Sequence, residues 1–264
     1  MANILDKIVA TKRQEAALSK QTHVYSLLES EIEYLTAVSL AKSFKTKPGI
    51  IAEFKRASPS KGVINGVANI ETVVGGYSNG GASAISVLTD KSYFQARPDD
   101  FGKARLTTSK PMLRKEFIID EYQLYESRAM GANVILLIAA ILTKEEIRNF
   151  TKKAHQLGME VLLELHDEDE ISKVSGLEDM IGVNNRNLKT FEVDIQQSTK
   201  IKKQLASPET PMISESGLSG IEEIKYLISE GFIGFLMGEH FMKHSEPVQA
   251  FEHFILEFKK VITE

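Results

Sequence analysis

Short apolar segments recur eight times along the chain, and each has about the length of a buried β-strand. The segments are residues 50–55, 84–89, 111–117, 134–139, 160–165, 180–184, 211–215 and 234–238. Their starts are separated by roughly 20 to 35 residues, which is what one strand and one helix occupy together. This repeat constrains the fold most strongly, because eight such units use up the chain.

Capping signals between the strands have a regular spacing. Four polar residues are followed three positions later by Gln or Glu, the spacing of an N-cap and its N3 partner: Asp120 with Gln123, Thr143 with Glu146, Asp167 with Glu170, and Ser219 with Glu222. Glycines stand where a left-handed residue would end the same helices: Gly131, Gly158, Gly176 and Gly231. The pattern predicts a helix between successive strands.

Apolar strands that alternate with helices are typical of a parallel sheet that is covered on both faces. Eight units in 264 residues favour a closed barrel, so we predict an α/β fold of the (β/α)8 TIM-barrel type. An open doubly wound sheet is the lesser alternative. The segment after the first strand reads FKRASPSKG and lacks the G-x-G-x-x-G phosphate fingerprint of a dinucleotide-binding sheet.

Residues 1–48 precede the first strand and carry two amphipathic patterns. The apolar positions are Ile4, Leu5, Ile8 and Val9 in the first pattern, and Val24, Leu27, Leu28, Ile32 and Leu35 in the second. They predict helices on the N-terminal side of the barrel, whose apolar faces cover either the barrel or a partner subunit. We expect one domain, residues 1–264, with 1–48 as a helical extension.

Composition excludes several classes of function. The chain has no cysteine, which rules out thiol chemistry and fits a reducing compartment. A net charge of -4 gives no general field for nucleic acid, so the basic residues Lys55, Arg56 and Lys61 need a local explanation. The longest apolar run, 134–142, is too short to span a bilayer, and the N-terminus lacks the features of a signal peptide. We expect a cytoplasmic protein that binds neither nucleic acid nor membrane.

Charged residues inside the apolar strands are informative, because chemistry in a barrel belongs to the carboxyl ends of the strands and the loops that follow. Glu53 and Lys55 are two positions apart on the first strand, so both side chains point to one face. They predict an opposite-charge pair at the barrel interior. A purely structural ion pair or an exposed strand end is the alternative.

A second lysine and a carboxylate follow on the third and fifth strands. Lys115 comes late in PMLRKEF, and a position near Lys55 in a partly dehydrated mouth predicts a lowered pKa and a role as general acid. Glu164 stands between leucines, where burial favours protonation unless cations offset it. Together they predict an acid-base set, with a solvated lysine or a barrel-interior salt bridge as alternatives. A metal site of Glu164, His166 and Asp167 lacks further ligands and is not expected.

The last three strands carry polar groups suited to an anion. Asn184 and Arg186 share a face, and an amide beside a guanidinium suits a substrate hydroxyl and a carboxylate or phosphate. The seventh and eighth strands end at Glu215, Ser216, Gly217, Gly238 and Glu239. Glycine at both turns lets backbone N–H groups approach a phosphate, although either glycine alone suits an ordinary turn. The loop 58–62 is either a lid over an anionic substrate or a solvated basic loop.

The segments IIAEFKRASPSKG, LRKEF, LLELH, GVNNRNL, ISESG and FLMGE follow in this order, each at a strand end. Together they resemble the motif set of the indole-3-glycerol phosphate synthase family. The resemblance extends from the first strand to the eighth and includes an N-terminal extension. It implies a carboxy-lyase of tryptophan biosynthesis that converts 1-(o-carboxyphenylamino)-1-deoxyribulose 5-phosphate to indole-3-glycerol phosphate, carbon dioxide and water, with no metal or organic cofactor.

The resemblance also implies roles for individual residues. Lys115 is the general acid at the ribulosyl carbonyl, Glu164 is the general base of the later proton removal and dehydration, and Lys55 holds the anthranilate carboxylate. The division of proton transfer between the two lysines stays open. The other implied residues are Glu53, Asn184 and Glu215 in the polar cavity, Arg56, Ser58, Arg186, Phe94, Phe117 and Leu136 at the substrate, and Ser216, Gly217, Gly238 and Glu239 at its phosphate. Glu239 and His240 depart from the family pattern, in which small residues often follow the glycine.

Three alternatives to this enzyme differ in what they require. Phosphoribosylanthranilate isomerase relies on a cysteine, which this chain lacks. A Schiff-base aldolase would use Lys115 or Lys55 as a nucleophile, and borohydride trapping would reveal it. A non-catalytic sugar-phosphate-binding barrel, or a subunit that only activates a partner, needs no proton donor and base. The expected partner is a small phosphorylated substrate, and the expected state is a monomer or a weak homo-oligomer.

Overall fold

Eight parallel strands form a closed barrel in the computed structural model, which describes residues 4–22, 28, 32, 38–44, 46–188, 190–205 and 209–263. The strands are β1 (Gly49–Phe54), β2 (Ala84–Leu88), β3 (Met112–Lys115), β4 (Val134–Ile138), β5 (Glu160–Leu165), β6 (Met180–Asn184), β7 (Met212–Glu215) and β8 (Gly234–Met237). Each pairs with its neighbour along the chain, and β1 pairs with β8. The predicted (β/α)8 fold is confirmed, with small shifts in the strand bounds.

Helices precede the barrel and connect its strands. They are α1 (Ile4–Thr22), α2 (Ala41–Phe44), α3 (Ile70–Gly80), α4 (Lys91–Phe94), α5 (Asp100–Thr107), α6 (Tyr122–Ala129), α7 (Lys144–Gln156), α8 (Gln196–Gln204), α9 (Ile221–Ser229), α10 (Glu239–Met242) and α11 (Pro247–Val261). Between β5 and β6 the structure has a 3-10 helix, Glu168–Lys173, in place of the predicted α-helix. After β1, Ala57–Ser58 and Gly62–Val63 form a short antiparallel hairpin. None of the described helices is long and apolar enough to cross a membrane.

The predicted helix starts differ in their capping. Thr143 and Glu146 form a full capping box at α7, in which the Glu146 carboxylate accepts the Thr143 N–H at 2.7 Å. At α6, Asp120 Oδ1 accepts the Tyr122 N–H at 2.9 Å and Gln123 Oε1 accepts the Asp120 N–H at 3.1 Å, so the predicted pairing is present although the helix begins after Glu121. The other two predictions are wrong in detail, because α9 begins after Gly220 and Asp167 precedes the 3-10 helix without a side-chain cap. The four predicted helix-ending glycines all have positive φ, from 73° to 90°.

Alternation along the strands divides the apolar side chains into two layers. In β1, Ile50 and Phe54 pack outward with the helices, whereas Ile51 joins the layer that fills the barrel. On four strands a charged residue stands two positions after an inner-layer residue and therefore shares its face. The pairs are Ile51 with Glu53, Leu113 with Lys115, Leu162 with Glu164, and Ile213 with Glu215. Strand geometry thus carries four charged side chains to the carboxyl end of the barrel interior.

Helix α2 closes the opposite, amino end of the barrel. Phe44 belongs to the inner apolar layer. Glu160, at the start of β5, accepts the N–H groups of Leu40 and Ala41 at 2.7 and 3.0 Å. The apolar layer and this carboxylate therefore fix the chain that enters β1.

Helix α1 confirms the first amphipathic pattern of the extension. It lies at the carboxyl ends of the strands, where Ile4, Leu5 and Ile8 line the cavity described below. An N-terminal-side position is therefore wrong for α1, and its apolar face covers the barrel itself. Within the second pattern, Val24, Leu27 and Leu35 lie outside the described residues.

Candidate active site

A cavity of about 160 Å³ opens at the carboxyl ends of the strands. The predicted residues that line it are Glu53, Lys55, Ser58, Phe94, Lys115, Phe117, Leu136, Glu164, Asn184, Arg186, Glu215, Ser216, Gly217, Gly238 and Glu239. The fold thus brings together every predicted site residue except Arg56. Cations and carboxylates share this cavity with an apolar wall, a combination that suits a substrate with both an aromatic and an anionic part.

Lys115 lies between two buried carboxylates. Its Nζ is 2.8 Å from Oε2 of Glu164 and contacts Oε2 of Glu215. Burial by itself would lower the pKa of Lys115, but the charges of Glu164, Glu215 and Glu53 outweigh it, and the pKa is raised above its ordinary value. The expectation of a lowered pKa is therefore wrong. Lys115 is a cation at neutral pH and carries a proton to donate.

The two carboxylates that share Lys115 differ in protonation. Burial raises the pKa of Glu164, but the effects of Lys115 and of the neighbouring His166 outweigh burial and bring the pKa well below its ordinary value. Burial also raises the pKa of Glu215, and the nearby charge of Glu164 adds to it, so the pKa is raised to about 8 despite Lys115. The negative charge of Glu164 beside Glu215 disfavours a second negative charge, and Lys115 does not offset both this repulsion and burial. At neutral pH the cluster holds one ion pair and one neutral acid.

The ion pair at the end of β1 confirms that Glu53 and Lys55 share a face. Lys55 Nζ lies 2.7 Å from Oε1 of Glu53, which is 4% exposed, while the lysine is 17% exposed at the cavity. A β-carbon at position 238 would lie 2.5 Å from the same Oε1 and 2.9 Å from the Glu53 β-carbon. Gly238 at the end of β8 therefore leaves the room that this ion pair occupies.

Arg186 and Asn184 form the side of the cavity after β6. Asn184 Oδ1 accepts the Arg186 N–H at 3.0 Å. The Arg186 guanidinium lies 3.3 Å from Oε2 of Glu239, and Lys61 Nζ lies 3.7 Å from the other oxygen of that carboxylate. Glu239 thus faces two cations at the mouth of the cavity.

Aromatic rings form the apolar wall. Phe94 and Phe117 lie with their ring centroids 6.2 Å apart and tilted by 40°, and Leu136 lines the same cavity. Asp90 caps α4, which carries Phe94, through the N–H groups of Tyr93 and Phe94. Phe94 is therefore fixed by a capped helix, whereas Phe117 follows β3 and Leu136 lies in β4.

The turn after β7 has two consecutive residues in the left-handed region. Ser216 and Gly217 have φ of 65° and 72°. A β-carbon at position 217 would overlap Val193, and the Ser216 carbonyl accepts a hydrogen bond from the Asn185 amide at 3.1 Å. Glycine is therefore needed at 217, and the turn is held against the loop that follows β6.

Arg56 does not reach the cavity. Its side chain is buried, Nη2 donates to Asp100 Oδ1 at 3.0 Å, and Nη1 contacts the other oxygen. The guanidinium lies 4.9 Å from the Phe54 ring centroid, and the Arg56 carbonyl accepts the N–H groups of Ile64 and Asn65. The predicted place beside the substrate is corrected: a bidentate pair with a buried carboxylate fixes Arg56 under the loop after β1.

Two residues at the site were missed by the motif argument. His166 Nε2 lies 3.1 Å from Oε1 of Glu164, and its position two residues after Glu164 was the available signal. Gly182 in β6 leaves space for the Glu215 carboxylate, which a β-carbon would overlap. A glycine inside a strand signals such a close approach, but the sequence does not name the partner. Within the described part of the chain, no three His, Asp or Glu side chains are grouped as a metal site.

Known proteins resemble this chain over most of its length. A model of the family described as indole-3-glycerol phosphate synthase matches residues 5–254. A protein named indole-3-glycerol phosphate synthase from Bacteroides thetaiotaomicron is 44% identical over 260 residues, with 97% of this chain and 98% of the relative covered. One with the same name from Neisseria meningitidis serogroup B is also 44% identical, with 95% and 98% covered.

Among solved structures, a thiamine phosphate pyrophosphorylase from Pyrococcus furiosus is similar with a TM-score of 0.58. It covers 83% of this chain and 98% of its own, at 13% identity. This likeness concerns the fold alone.

Proposed function

This chain belongs to the indole-3-glycerol phosphate synthase family, and we propose that Lys115, Glu164 and Lys55 carry its reaction. The enzyme is a decarboxylating lyase of tryptophan biosynthesis. It closes the ring of 1-(o-carboxyphenylamino)-1-deoxyribulose 5-phosphate to give indole-3-glycerol phosphate, with loss of carbon dioxide and water. The observation that carries the residue assignment is the buried Lys115–Glu164 pair, 2.8 Å apart, at the floor of a cavity with an aromatic wall.

Ring closure needs an acid at the carbonyl. The aryl carbon that bears the carboxylate bonds to the carbonyl carbon of the ribulosyl chain, and the carbonyl oxygen takes a proton from Lys115. The neighbouring carboxylates keep the Lys115 ammonium charged, so the donor is present before the substrate arrives. Departure of carbon dioxide then restores the aromatic ring.

The final step needs a base. The hydroxyl group made from the carbonyl takes a proton from one of the two lysine ammonium groups and leaves as water, while a proton is removed from the adjacent carbon of the new ring. Glu164 is ionised and 2.8 Å from Lys115, so it is placed to take that proton. Glu215 carries a proton at neutral pH. When Lys115 has given up its proton, Glu164 is therefore the one ionised carboxylate of the pair, and two negative charges do not lie beside each other.

Lys55 is the partner for the anthranilate carboxylate. Its ammonium is held by Glu53 at 2.7 Å and faces the cavity, so one oxygen of Glu53 orients it. Phe94, Phe117 and Leu136 hold the aryl ring against the electrophilic carbon. Asn184 adds an amide to this polar floor.

The opposite side of the cavity suits the phosphate. The turns at Ser216, Gly217 and Gly238 bring backbone close to the cavity, and Arg186 adds a cation. Ser58 lies in the hairpin after β1 and lines the cavity from above. The N–H of Glu239 belongs to the same turn, while its side chain faces Arg186.

A Schiff-base aldolase requires a neutral lysine as nucleophile. The carboxylates around Lys115 favour its charged form, so the geometry supports a proton donor and not an attacking amine. A non-catalytic sugar-phosphate-binding barrel needs no proton donor and base, so it does not account for the Lys115–Glu164 pair in the cavity.

The test is turnover of the carboxyphenylamino-deoxyribulose phosphate by the purified chain, followed by the fluorescence of indole-3-glycerol phosphate. Glu164→Gln keeps the shape of the side chain and should lower kcat by about 10²- to 10⁴-fold with substrate binding retained. Glu222→Gln, at a carboxylate that is 78% exposed, is the matched control and should not change kcat.

Native protein that binds the substrate without turning it over would leave a binding barrel as the better account. Inactivation by borohydride in the presence of a ketose phosphate would favour the aldolase.

The proposal also includes a single domain over residues 1–264, a cytoplasmic location, and a monomer or weak homo-oligomer. It includes no binding of nucleic acid, and the net charge of -4 supports this last point.

A further inference from the structure

His166 is a buried titratable residue that the ring closure described above does not use. It follows β5 directly, and its Nε2 lies 3.1 Å from Oε1 of Glu164, with side-chain exposures of 7% and 4%. Neither ring nitrogen has a hydrogen-bond partner among the described residues. Contact with the carboxylate of Glu164 is therefore the main polar interaction of the imidazole.

The two oxygens of Glu164 face different groups. Oε2 lies 2.8 Å from Lys115 Nζ, and Oε1 faces the imidazole. Contacts on both oxygens restrict rotation of the carboxylate about its last bond. Burial raises the pKa of Glu164, whereas Lys115 and His166 lower it and prevail, so His166 acts on the charge of this group as well as on its position.

The backbone of His166 is itself anchored. Its N–H donates to Oε2 of Glu170 at 2.7 Å, and its carbonyl accepts from the Gln197 amide at 3.1 Å. The same Glu170 oxygen lies 3.9 Å from Nδ1 of the ring. Hydrogen bonds to the 3-10 helix and to α8 therefore fix the backbone position of His166, which a residue that orients another side chain requires.

We propose that His166 is a positioning residue that sets the orientation and the basicity of Glu164. The inference rests on the proposed role of Glu164 as general base. Neutral His166 restrains Oε1 and leaves the carboxylate basic. A proton on His166 adds positive charge beside that oxygen, stabilises the anion and weakens the base, so kcat falls as His166 is protonated. The charged groups that face the imidazole are Glu164 and Glu170, and Lys115 lies beyond Glu164.

The experiment is the pH profile of kcat for the native enzyme and two variants. His166→Asn keeps a neutral polar side chain that does not titrate, so kcat at neutral pH should stay within about tenfold and the acid limb should move to lower pH by about one unit. His166→Leu removes the contact and should lower kcat by about 10- to 100-fold, with KM changed less than about threefold. A purely structural residue would not move the acid limb.

His155 supplies the matched control. Its Nε2 lies 2.8 Å from Asp179, which is also a histidine–carboxylate contact, but the histidine is 41% exposed and does not line the cavity. His155→Asn should leave the acid limb of kcat in place. A shift as large as that of His166→Asn would assign the effect to overall charge and overturn the inference.

Two other results would overturn it. One is an unchanged acid limb in folded His166→Asn together with an unchanged kcat in His166→Leu. The other uses the native protein alone and does not depend on the folding of a variant: the titration of His166 followed by NMR must have the same midpoint as the acid limb, and a mismatch contradicts the inference. Absence of turnover by the native enzyme would instead reject the proposed function.

Discussion

Two lysines of this barrel each lie between two buried carboxylates. Lys12 of α1 lies 2.7 Å from Asp90 and 3.0 Å from Glu116, and it also lies 2.7 Å from Glu15, which is 42% exposed. Lys115 of β3 lies 2.8 Å from Glu164 and contacts Glu215. In both clusters burial acts to lower the pKa of the lysine, but the carboxylates outweigh burial and the pKa is raised. Both lysines are therefore cations, and the difference between the clusters lies in their carboxylates.

The carboxylates around Lys12 have further donors. Asp90 accepts two backbone N–H groups of α4. Glu116 accepts the Phe117 N–H at 2.9 Å and the Thr89 hydroxyl at 2.7 Å. Burial raises the pKa of Glu116. Lys12, Arg114 and these hydrogen bonds lower it by more than burial raises it, so the pKa falls below its ordinary value. This cluster keeps its charges and joins α1 to the barrel.

One carboxylate beside Lys115, Glu215, is less well satisfied. Its Oε1 is buried without a hydrogen-bond partner among the described residues, whereas Asp90 Oδ2, which also lacks a hydrogen bond, lies 2.7 Å from Lys12 Nζ. The pKa of Glu215 is raised to about 8 by burial and by Glu164. Because the cluster also faces the cavity, its proton can be exchanged with a substrate. The comparison indicates that hydrogen-bond donors to the carboxylates, and not burial alone, separate a cluster that stays fully charged from one that retains a proton.

Lys12→Met should give the largest loss of stability. It leaves Asp90 and Glu116 buried without their cation, and the free energy of unfolding should fall by about 3 to 5 kcal/mol in urea denaturation. Lys20→Met, in the same helix, is the matched control because the Lys20–Asp120 pair is 38% and 30% exposed. The control should lose less than about 1 kcal/mol. Equal losses would show that the Lys12 cluster is not the structural link.

Gly182→Ala tests the geometry of the other cluster. The new methyl group would overlap the Glu215 carboxylate and push it away from Lys115. We expect a loss of about 1 to 3 kcal/mol in stability and about a tenfold lower kcat. Gly102→Ala in α5 is the control, because a β-carbon there meets no atom within 4 Å. An unchanged kcat in Gly182→Ala would mean that Glu215 need not touch Lys115.

Glu215→Gln tests the retained proton, and its effect on stability should depend on pH. The folded pKa of about 8 lies above the ordinary value of 4.5. The native protein has the full stability from this group below about pH 4.5 and loses it as the pH rises towards 8, because only the unfolded chain releases the proton there. The variant cannot titrate. Its unfolding free energy, relative to native, should rise by about 1 kcal/mol per pH unit between about pH 5 and 8. If the unfolding free energies of the native protein and the variant changed equally with pH, the raised pKa of Glu215 would be contradicted.

Much of this arrangement was predictable from strand ends. The spacing of Glu53 and Lys55 predicts a shared face, and their 2.7 Å contact confirms it. Parallel strands bring residues that are far apart in the chain to one mouth, so Lys115 and Glu164 meet without any local signal. The order of the six motif segments along the chain then indicated the family.

Other features depended on contacts that a single segment does not encode. The pKa of Lys115 was predicted in the wrong direction because the sequence does not show that Glu164 and Glu215 both turn towards it. The family resemblance implied a place for Arg56 at the substrate, and the sequence does not show that its partner is Asp100, 44 residues away. The segment after β5 has a helix-start signal but forms a 3-10 helix.

The most direct test compares kcat of Lys115→Met and Lys12→Met in the same turnover assay, at a temperature where both are folded. The account predicts that Lys115→Met loses about 10²- to 10⁴-fold in kcat, whereas Lys12→Met stays within about tenfold of the native enzyme despite its lower stability. Lys115→Met with near-native kcat, or equal losses in both variants, would contradict the assignment of the chemistry to the cavity cluster.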